Sequence, residues 1–514
     1  MPFLPALLAL ALAASQDPTA PAQTPVQDPA QTPAPTPTPS PAPSSSQGPE
    51  PVAMTLELAV ETALANDLSL RIAEVAGDIA RYNFEGSWGA FDPELRAAAG
   101  YQDNQSLPIQ TAGGTFVIEE QRIDTSAGVL FPLTTGGSFD ASISQGVSDI
   151  NGQNPNPSIL NTIGLAFRQP LMRGAGSKYA TSEQHEFDLR YQQQTERVRQ
   201  SRQDLVRQVA DAYWDLVAAK EQLQVAEETL SLGRQQLEQN QRRLTAGVGT
   251  SVEVLQAEAN VAQRVGERLL RETAVRGAAD RLKALLHPGT KVADWELEID
   301  PVTPLPTADA AQVTEWQPAM LKALDKRSEL RQQRYEIDIG EEQLVRARSL
   351  RKPGLDLLLA GGSTGFEGSE YQAFVSAIEL DTMRYNASLN FSFPIGNHAA
   401  SNAEFAARAA VRSARLNYDL LESQIVADVR EAVRNATYAV EAVHAAEVTI
   451  SLARRQLEAE QSRYREGLST NYQVLEFQQK LAEALYTHTF ARTTFARSMT
   501  ALLRAQGIIG EERR

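Results

Sequence analysis

Leu205, Val209, Ala212, Leu216, Ala219, Leu223, Ala226, Leu230, Gly233, Leu237, Asn240 and Leu244 follow one another at an unbroken four-three spacing. A heptad seam this long commits the stretch from Ser177 to Ala246 to one long helix packed along its whole length against a partner. Shifted by 220 residues, the seam returns as Ile425, Val429, Ala432, Ala436, Ala439, Val443, Ala446, Ile450, Ala453, Leu457, Glu460 and Tyr464. The chain is therefore a tandem repeat. Each seam carries a polar slot one turn before its end, Asn240 or Glu460, and each ends in small residues. The tips are Gly247-Val248-Gly249-Thr250 and Gly467-Leu468-Ser469-Thr470, followed by Val254-Leu255 and Val474-Leu475. In the first copy the return arm runs from Ser251 to Leu286.

Ahead of each long arm lies a shorter helical pattern. Thr55 to about Glu85 has Thr55 as its N-cap, and its counterpart at an offset of 260 runs from Thr314 to about Ser349, with Leu330 matching Leu70. Each ends shortly before a proline, Pro93 or Pro353, that opens a strand. After Pro93 the period changes to two. Leu95, Ala97, Ala99 and Tyr101, then Ala127, Val129 and Phe131, then Phe139, Ala141 and Ile143, then Ile163, Leu165 and Phe167 are spaced as strands. In the second copy Leu355, Leu357 and Leu359, then Tyr385, Ala387, Leu389, Phe391 and Phe393, do the same. The expectation is one strand pair per repeat, four principal strands, with Thr125 to Val147 as a surplus hairpin in the first copy turning at Thr134-Thr135-Gly136-Gly137. Whether that hairpin joins a sheet or decorates a loop is open from sequence.

Length sets the architecture. The long arm spans about 105 Å if wholly helical, and the two shorter helices of the first copy, laid end to end, about 100 Å. Each repeat is thus a strand pair on a helical column. Four strands cannot close a barrel, and three copies, with about 12 strands and about 12 helices around a ring, would leave no sheet edge. A homotrimer follows from closure.

Of the 514 residues 6% are aromatic, which suits long thin helices better than a thick core. The net charge of −16, with no basic stripe, argues against nucleic acid as a partner. There is no cysteine, hence no disulfide framework, thiolate metal site or lipid-acceptor thiol. Residues 1–15 read as a signal peptide, with an apolar run from Phe3 to Ala14, and 16–51 as a Pro/Thr/Ala-rich disordered spacer. The first repeat is assigned to 52–290, a connector holding Pro301, Pro304 and Pro306 to 291–313, the second repeat to 314–505, and a C-terminal tail to 506–514. The connector is expected to cross the outside of the column at mid-height.

With the leader, the doubled strand-helix order and the tips in hand, the chain resembles the TolC family of outer-membrane efflux proteins. The resemblance covers about Met54 to Ala505. It rests on Phe167-x-x-Pro170, Gly247-x-Gly249-Thr250-x-x-x-Val254-Leu255 and Gly467-Leu468-Ser469-Thr470-x-x-x-Val474-Leu475, in the right order twice. It implies an α+β membrane protein, a trimeric outer-membrane β-barrel continued by a long periplasmic α-helical coiled-coil barrel. Its implied role is the passive exit duct of a tripartite efflux or type I secretion system, with outer-membrane lipid, a periplasmic adaptor (membrane-fusion) protein and an inner-membrane pump as partners. The adaptor would dock on Gly247, Val248, Gly249, Thr250, Gly467, Leu468, Ser469 and Thr470; the alternative is that the glycines only permit a tight turn. The family's acidic entrance ring falls here on Gln473 and Glu476, with Glu253 and Gln256 in the first copy. Glu253 and Glu476 from three chains would favour cations at a narrow mouth, or they are solvated outer-face carboxylates.

Other signals fail on context. Gly361-Gly362-Ser363-Thr364-Gly365 has the spacing of a nucleophile elbow but is read as running into a polar loop with no helix behind it. The five histidines are scattered without metal-ligand spacing. Neither an enzyme nor a cofactor is supported. The competing class is a periplasmic coiled-coil structural or envelope-tethering protein without a pore, which explains the heptads but not the alternating aromatic strands.

Overall fold

The computed structural model describes residues 52–105, 109–111, 114–117, 119–150, 157–287, 289, 291–380 and 382–510. The expected leader and spacer, 1–51, and the last residues of the tail lie outside them.

The two long arms are single helices, α4 (Ser182–Thr245, 64 residues) and α10 (His398–Arg465, 68 residues). Each folds back on a shorter helix, α5 (Ser251–Leu286) or α11 (Asn471–Ala505). A helical turn, α3 (Ser177–Ala180), precedes α4. The expected first helix is two, α1 (Leu56–Asn66) and α2 (Leu68–Ser87), and so is its counterpart, α7 (Trp316–Lys326) and α8 (Ser328–Leu350). Asp67 and Arg327, 260 apart, make the two breaks with extended backbone. At Asp67 the cause is visible: its carboxylate accepts from the Leu70 N–H at 2.9 Å and starts a new helix. Thr55 caps α1 by accepting from Leu58 N–H, as its position predicts, whereas the counterpart helix is capped at Glu315 rather than Thr314.

The breaks are where the shorter helices stack. Asn66 donates its side-chain N–H to the carbonyl of Leu286, the last residue of α5. In the second copy Gly507, in left-handed conformation just past α11, lies against the Arg327 backbone, where a Cβ would come within 3.0 Å of the Arg327 nitrogen. Residues 506–510 pack here rather than trailing free: Gln506 and Ile509 are buried, and the Gly507 carbonyl accepts from Gln203.

Most of the seam positions are buried, Val209, Leu216, Val429 and Ala436 completely. Around Leu205 and Leu216 the first copy builds the largest core, with Tyr213 and Trp214 edge to face. The connector contributes α6 (Val292–Glu296) and β8 (Ile299–Pro301), which pairs in parallel with β1 (Val52–Met54). The fully buried Tyr213 hydroxyl donates to the Met54 carbonyl and accepts from the Thr303 N–H, both at 2.9 Å, and so pins the connector to the start of the first repeat.

The strand count departs from expectation. β2 (Glu94–Gln105), β5 (Glu119–Pro132), β6 (Ser138–Ile150), β7 (Ser158–Pro170), β9 (Gly354–Glu367) and β10 (Met383–Ser392) form one antiparallel sheet in the order β10-β9-β7-β6-β5-β2. A short hairpin, β3 (Ile109–Thr111) with β4 (Gly114–Phe116), sits between β2 and β5 in sequence. The surplus hairpin is thus integral, and six strands replace four. It pairs with β2 along all 12 residues of β2, and along β7 from Ser138↔Arg168 to Ser148↔Ser158. The Gly361–Gly365 stretch lies inside β9 rather than in a loop. Helix α9 (Glu370–Ile378) covers it through the fully buried Ala373 and Ala377, so closely that a Cβ on Gly365 would collide with the Ala373 carbonyl.

Register puts Leu95, Ala97, Ala99, Tyr101, Ile123, Ala127, Val129, Phe131, Phe139, Ala141, Ile143, Ile163, Leu165, Phe167, Leu357, Leu359, Tyr385, Ala387, Leu389 and Phe391 on one face. The aromatic residues of these six strands fall there except Phe366, which shares the opposite face with Leu160. The other face carries Arg96, Gln102, Arg122, Asp124, Ser126, Asp140, Ser142, Ser144, Thr162, Arg168, Asp356, Arg384, Asn386 and Asn390. Among the described residues no helix is long and apolar enough to cross a membrane.

Candidate functional site: the hairpin tips

At both tips the long helix ends in the same way. Gly247 (φ 74°) and Gly467 (φ 76°) take the left-handed conformation that lets the chain reverse without a Cβ penalty. Val248 N–H then donates to the Arg243 carbonyl and Leu468 N–H to that of Arg463, while the two glycine N–H groups reach Leu244 and Tyr464. These pairs are Schellman closures, and they turn the residue after each glycine outward. Val248 is 67% exposed and Leu468 66% exposed. Val252 and Leu255 extend the apolar ridge at the first tip, and Tyr472 at the second.

The return helices start on matched capping boxes. Thr250 accepts from the Glu253 N–H at 3.3 Å and the Glu253 carboxylate accepts from the Thr250 N–H at 3.0 Å; Thr470 and Gln473 repeat this at 3.4 and 3.5 Å. Two of the candidate entrance residues, Glu253 and Gln473, therefore occupy equivalent capping positions. Glu476 is exposed one turn further on and paired with Lys480 at 2.6 Å.

Between the tips lies a buried polar cluster that joins all four helices. Asn240, only 1% exposed, donates to Asn471 Oδ1 at 2.9 Å and to the Glu253 carbonyl at 3.2 Å. Its own oxygen accepts from the Tyr464 hydroxyl at 3.0 Å and from Gln236 at 3.1 Å. Gln236 also donates to Asn471. Burial, and then the Glu253 carboxylate, raise the Tyr464 pKa, so the phenol stays a hydrogen-bond donor. The Arg243 guanidinium lies 4.8 Å from its ring centre. The seam marked Asn240 and Tyr464; Gln236 and Asn471 lie off it, and nothing in the heptad pattern points to them. Glu460, the counterpart of Asn240, does not join this cluster. It accepts from Ser469 and from Arg463.

The model of the outer membrane efflux protein family matches residues 138–286 and 320–507. Those two segments include β6, β7, β9 and β10, and leave out β2 and β5. Outer membrane protein TolC of Vibrio cholerae is 25% identical over 366 residues, which covers 70% of this chain and 80% of that protein. Alkaline protease secretion protein AprF of Pseudomonas aeruginosa is 24% identical over 327 residues, covering 62% and 64%. The crystal structure of the outer membrane protein VceC of Vibrio cholerae shares the fold, with a TM-score of 0.63 at 15% identity over 88% of this chain and 96% of that one.

Proposed function

The chain belongs to the outer membrane efflux protein family, and from that premise we propose how it works. Three copies form a passive exit duct that receives substrate from an inner-membrane pump through a periplasmic adaptor and carries it across periplasm and outer membrane. The observation that carries this reading is the sheet. All six strands set apolar side chains on one face and mostly polar ones on the other, and they stand on helices of 64 and 68 residues, about 100 Å long. The apolar face meets lipid and the polar face lines water. A coiled-coil spacer has no use for such a sheet. Purified protein in a planar bilayer should give discrete conductance steps from trimers. Folded protein that leaves the membrane without detergent and gives no steps would return the structural spacer to the lead.

The two repeats, 52–290 and 314–505, act as equivalent staves joined by the connector 291–313. The tips Gly247–Thr250 and Gly467–Thr470 dock the adaptor, because each presents one apolar side chain on a rigid closure that an incoming helical hairpin can approach closely. Leu468→Asp should abolish adaptor co-purification from crosslinked envelopes while leaving bilayer conductance in place. Glu253, Glu476 and Gln473 form the entrance ring, with Glu253 held by its capping box and Glu476 by Lys480. Glu253→Gln combined with Glu476→Gln should lower cation preference, and unchanged selectivity would remove the ring from this account.

A further inference from the structure

The extra hairpin changes the size of the pore. We infer that the trimer closes an 18-stranded barrel, through β10 of one copy pairing with β2 of the next, and that the outer-membrane section of the duct is therefore as wide as its helical tunnel. The inference rests on the duct reading above and concerns its width.

Strand direction supplies the first argument. β2 leaves α2 and runs away from the helices, β10 returns to them and enters α10, and the four strands between alternate. β2 and β10 are the two edges of the sheet. An even number of strands per copy brings a returning β10 beside a departing β2, which is the antiparallel pairing every other neighbour in the sheet already has. Four or six strands per copy satisfy this condition, and an odd number does not. Inserting a whole hairpin is the smallest enlargement that leaves closure intact.

The hairpin is also built for lipid on one side and water on the other. Ile123, Ala127, Val129 and Phe131 on β5 pair with Val147, Ile143, Ala141 and Phe139 on β6, all on the apolar face. The Phe131 and Phe139 rings lie 6.2 Å apart, and Phe167 continues the row onto β7. The opposite face of the same hairpin holds Arg122, Asp124, Asp140, Ser142 and Ser144, with Arg122 and Asp124 paired at 2.8 Å. A loop ornament above the membrane needs no such alternation. β6, β7, β9 and β10 lie in the segments that match the family, and β2 and β5 lie outside them.

Circumference gives the third argument. With neighbouring strands about 4.8 Å apart and tilted about 40°, 18 strands close a ring of about 113 Å and 12 strands one of about 75 Å, or diameters of about 36 and 24 Å. Twelve helices spaced 8–10 Å apart occupy about 96–120 Å. The larger barrel continues the helical ring without a taper.

Because the chain has no cysteine, engineered pairs report strand neighbours directly in native outer membranes. Ala97→Cys with Ala127→Cys, register partners on β2 and β5, should form an intramolecular disulfide. Leu95→Cys scanned against Tyr385→Cys, Ala387→Cys and Leu389→Cys should trap covalent trimers. Ala97→Cys with Ile163→Cys, across β2 and β7, should stay reduced. Efficient bridging of that last pair would put the hairpin outside the barrel and overturn the inference while the duct reading stands. A chain lacking residues 119–150 joins β2 to β7 at their outer ends. The largest poly(ethylene glycol) that enters from the extracellular side should then shrink by about a third in diameter. Equal cut-offs in the two trimers would also overturn it, and absence of any channel from the full-length chain would overturn the duct reading and this one together.

Discussion

Between the two repeats the helical hairpins correspond element by element, 64 and 68 residues down, then 36 and 35 back, whereas the six-stranded sheet takes four strands from one copy and two from the other. The contrast follows from how each part is held. A helix in a ring is wedged between two neighbours whose side-chain ridges fit its grooves, so an added helix would disrupt two seams at once. A strand is held by backbone hydrogen bonds that any sequence can make, so a hairpin can enter the sheet wherever its alternation is right and parity is kept.

Correspondence of backbone also conceals differences in what each side chain contributes, and these can be tested by substituting equivalent positions. The largest difference is expected at mid-column. Tyr213 is fully buried and hydrogen-bonds both Met54 and the connector's Thr303, while Val433, 220 residues on, is only partly buried. Tyr213→Ala should destabilise by about 3–5 kcal/mol and Val433→Ala by much less, read as midpoints of denaturant unfolding in detergent. Comparable losses would mean that the connector clamp contributes little.

Next come the polar slots near the tips. Asn240→Ala removes the hub of a cluster that joins both hairpins and should cost about 1–3 kcal/mol, because it strands buried groups of Asn471 and Tyr464. Its visible effect should be a leakier closed state, with a higher fraction of open time in bilayer recordings. Glu460→Ala should raise it less, since Glu460 accepts from Ser469 and Arg463 on its own hairpin. The reverse order would show that closure depends on the second hairpin alone. At the tips themselves the two copies should respond alike. Gly247→Ala and Gly467→Ala each place a Cβ in the left-handed region, at about 1 kcal/mol. Unequal adaptor affinity for these two variants would separate a docking tip from a mere turn.

The smallest effect is confined to acid. Burial works against the Glu186 charge, but hydrogen bonds from Arg346, Arg190 and Gln343 prevail and hold its carboxyl below the usual range. A lowered folded pKa means that the stabilisation is present above the ordinary glutamate value of about 4.3 and is lost as pH falls through the depressed one. The second copy has Ala406 at this position. Glu186→Gln should therefore narrow the gap between melting temperatures at pH 6 and pH 3, and an unchanged gap would assign acid sensitivity to other carboxylates.

By itself the sequence determined the parts whose signal is periodic and local. Heptads from Leu205 and from Ile425 specify the long helices, glycine and threonine at fixed offsets specify the tips, and alternation after Pro93 and Pro353 specifies where strands lie. Repetition of the seams and tips at an offset of 220, and of the preceding helices and strand starts at 260, made these readings reinforce one another. The tertiary structure alone decided what depends on partners distant in the chain. It placed the hairpin of β5 and β6 between β2 and β7, because period two marks a strand but not its neighbours. It set Gly361–Gly365 inside β9 through the contact with α9, tied Tyr213 to a connector 90 residues away, and gathered Gln236, Asn240, Tyr464 and Asn471 into one cluster. A buried amide is satisfied by whatever group the fold brings within about 3 Å, and spacing along the chain carries no record of that.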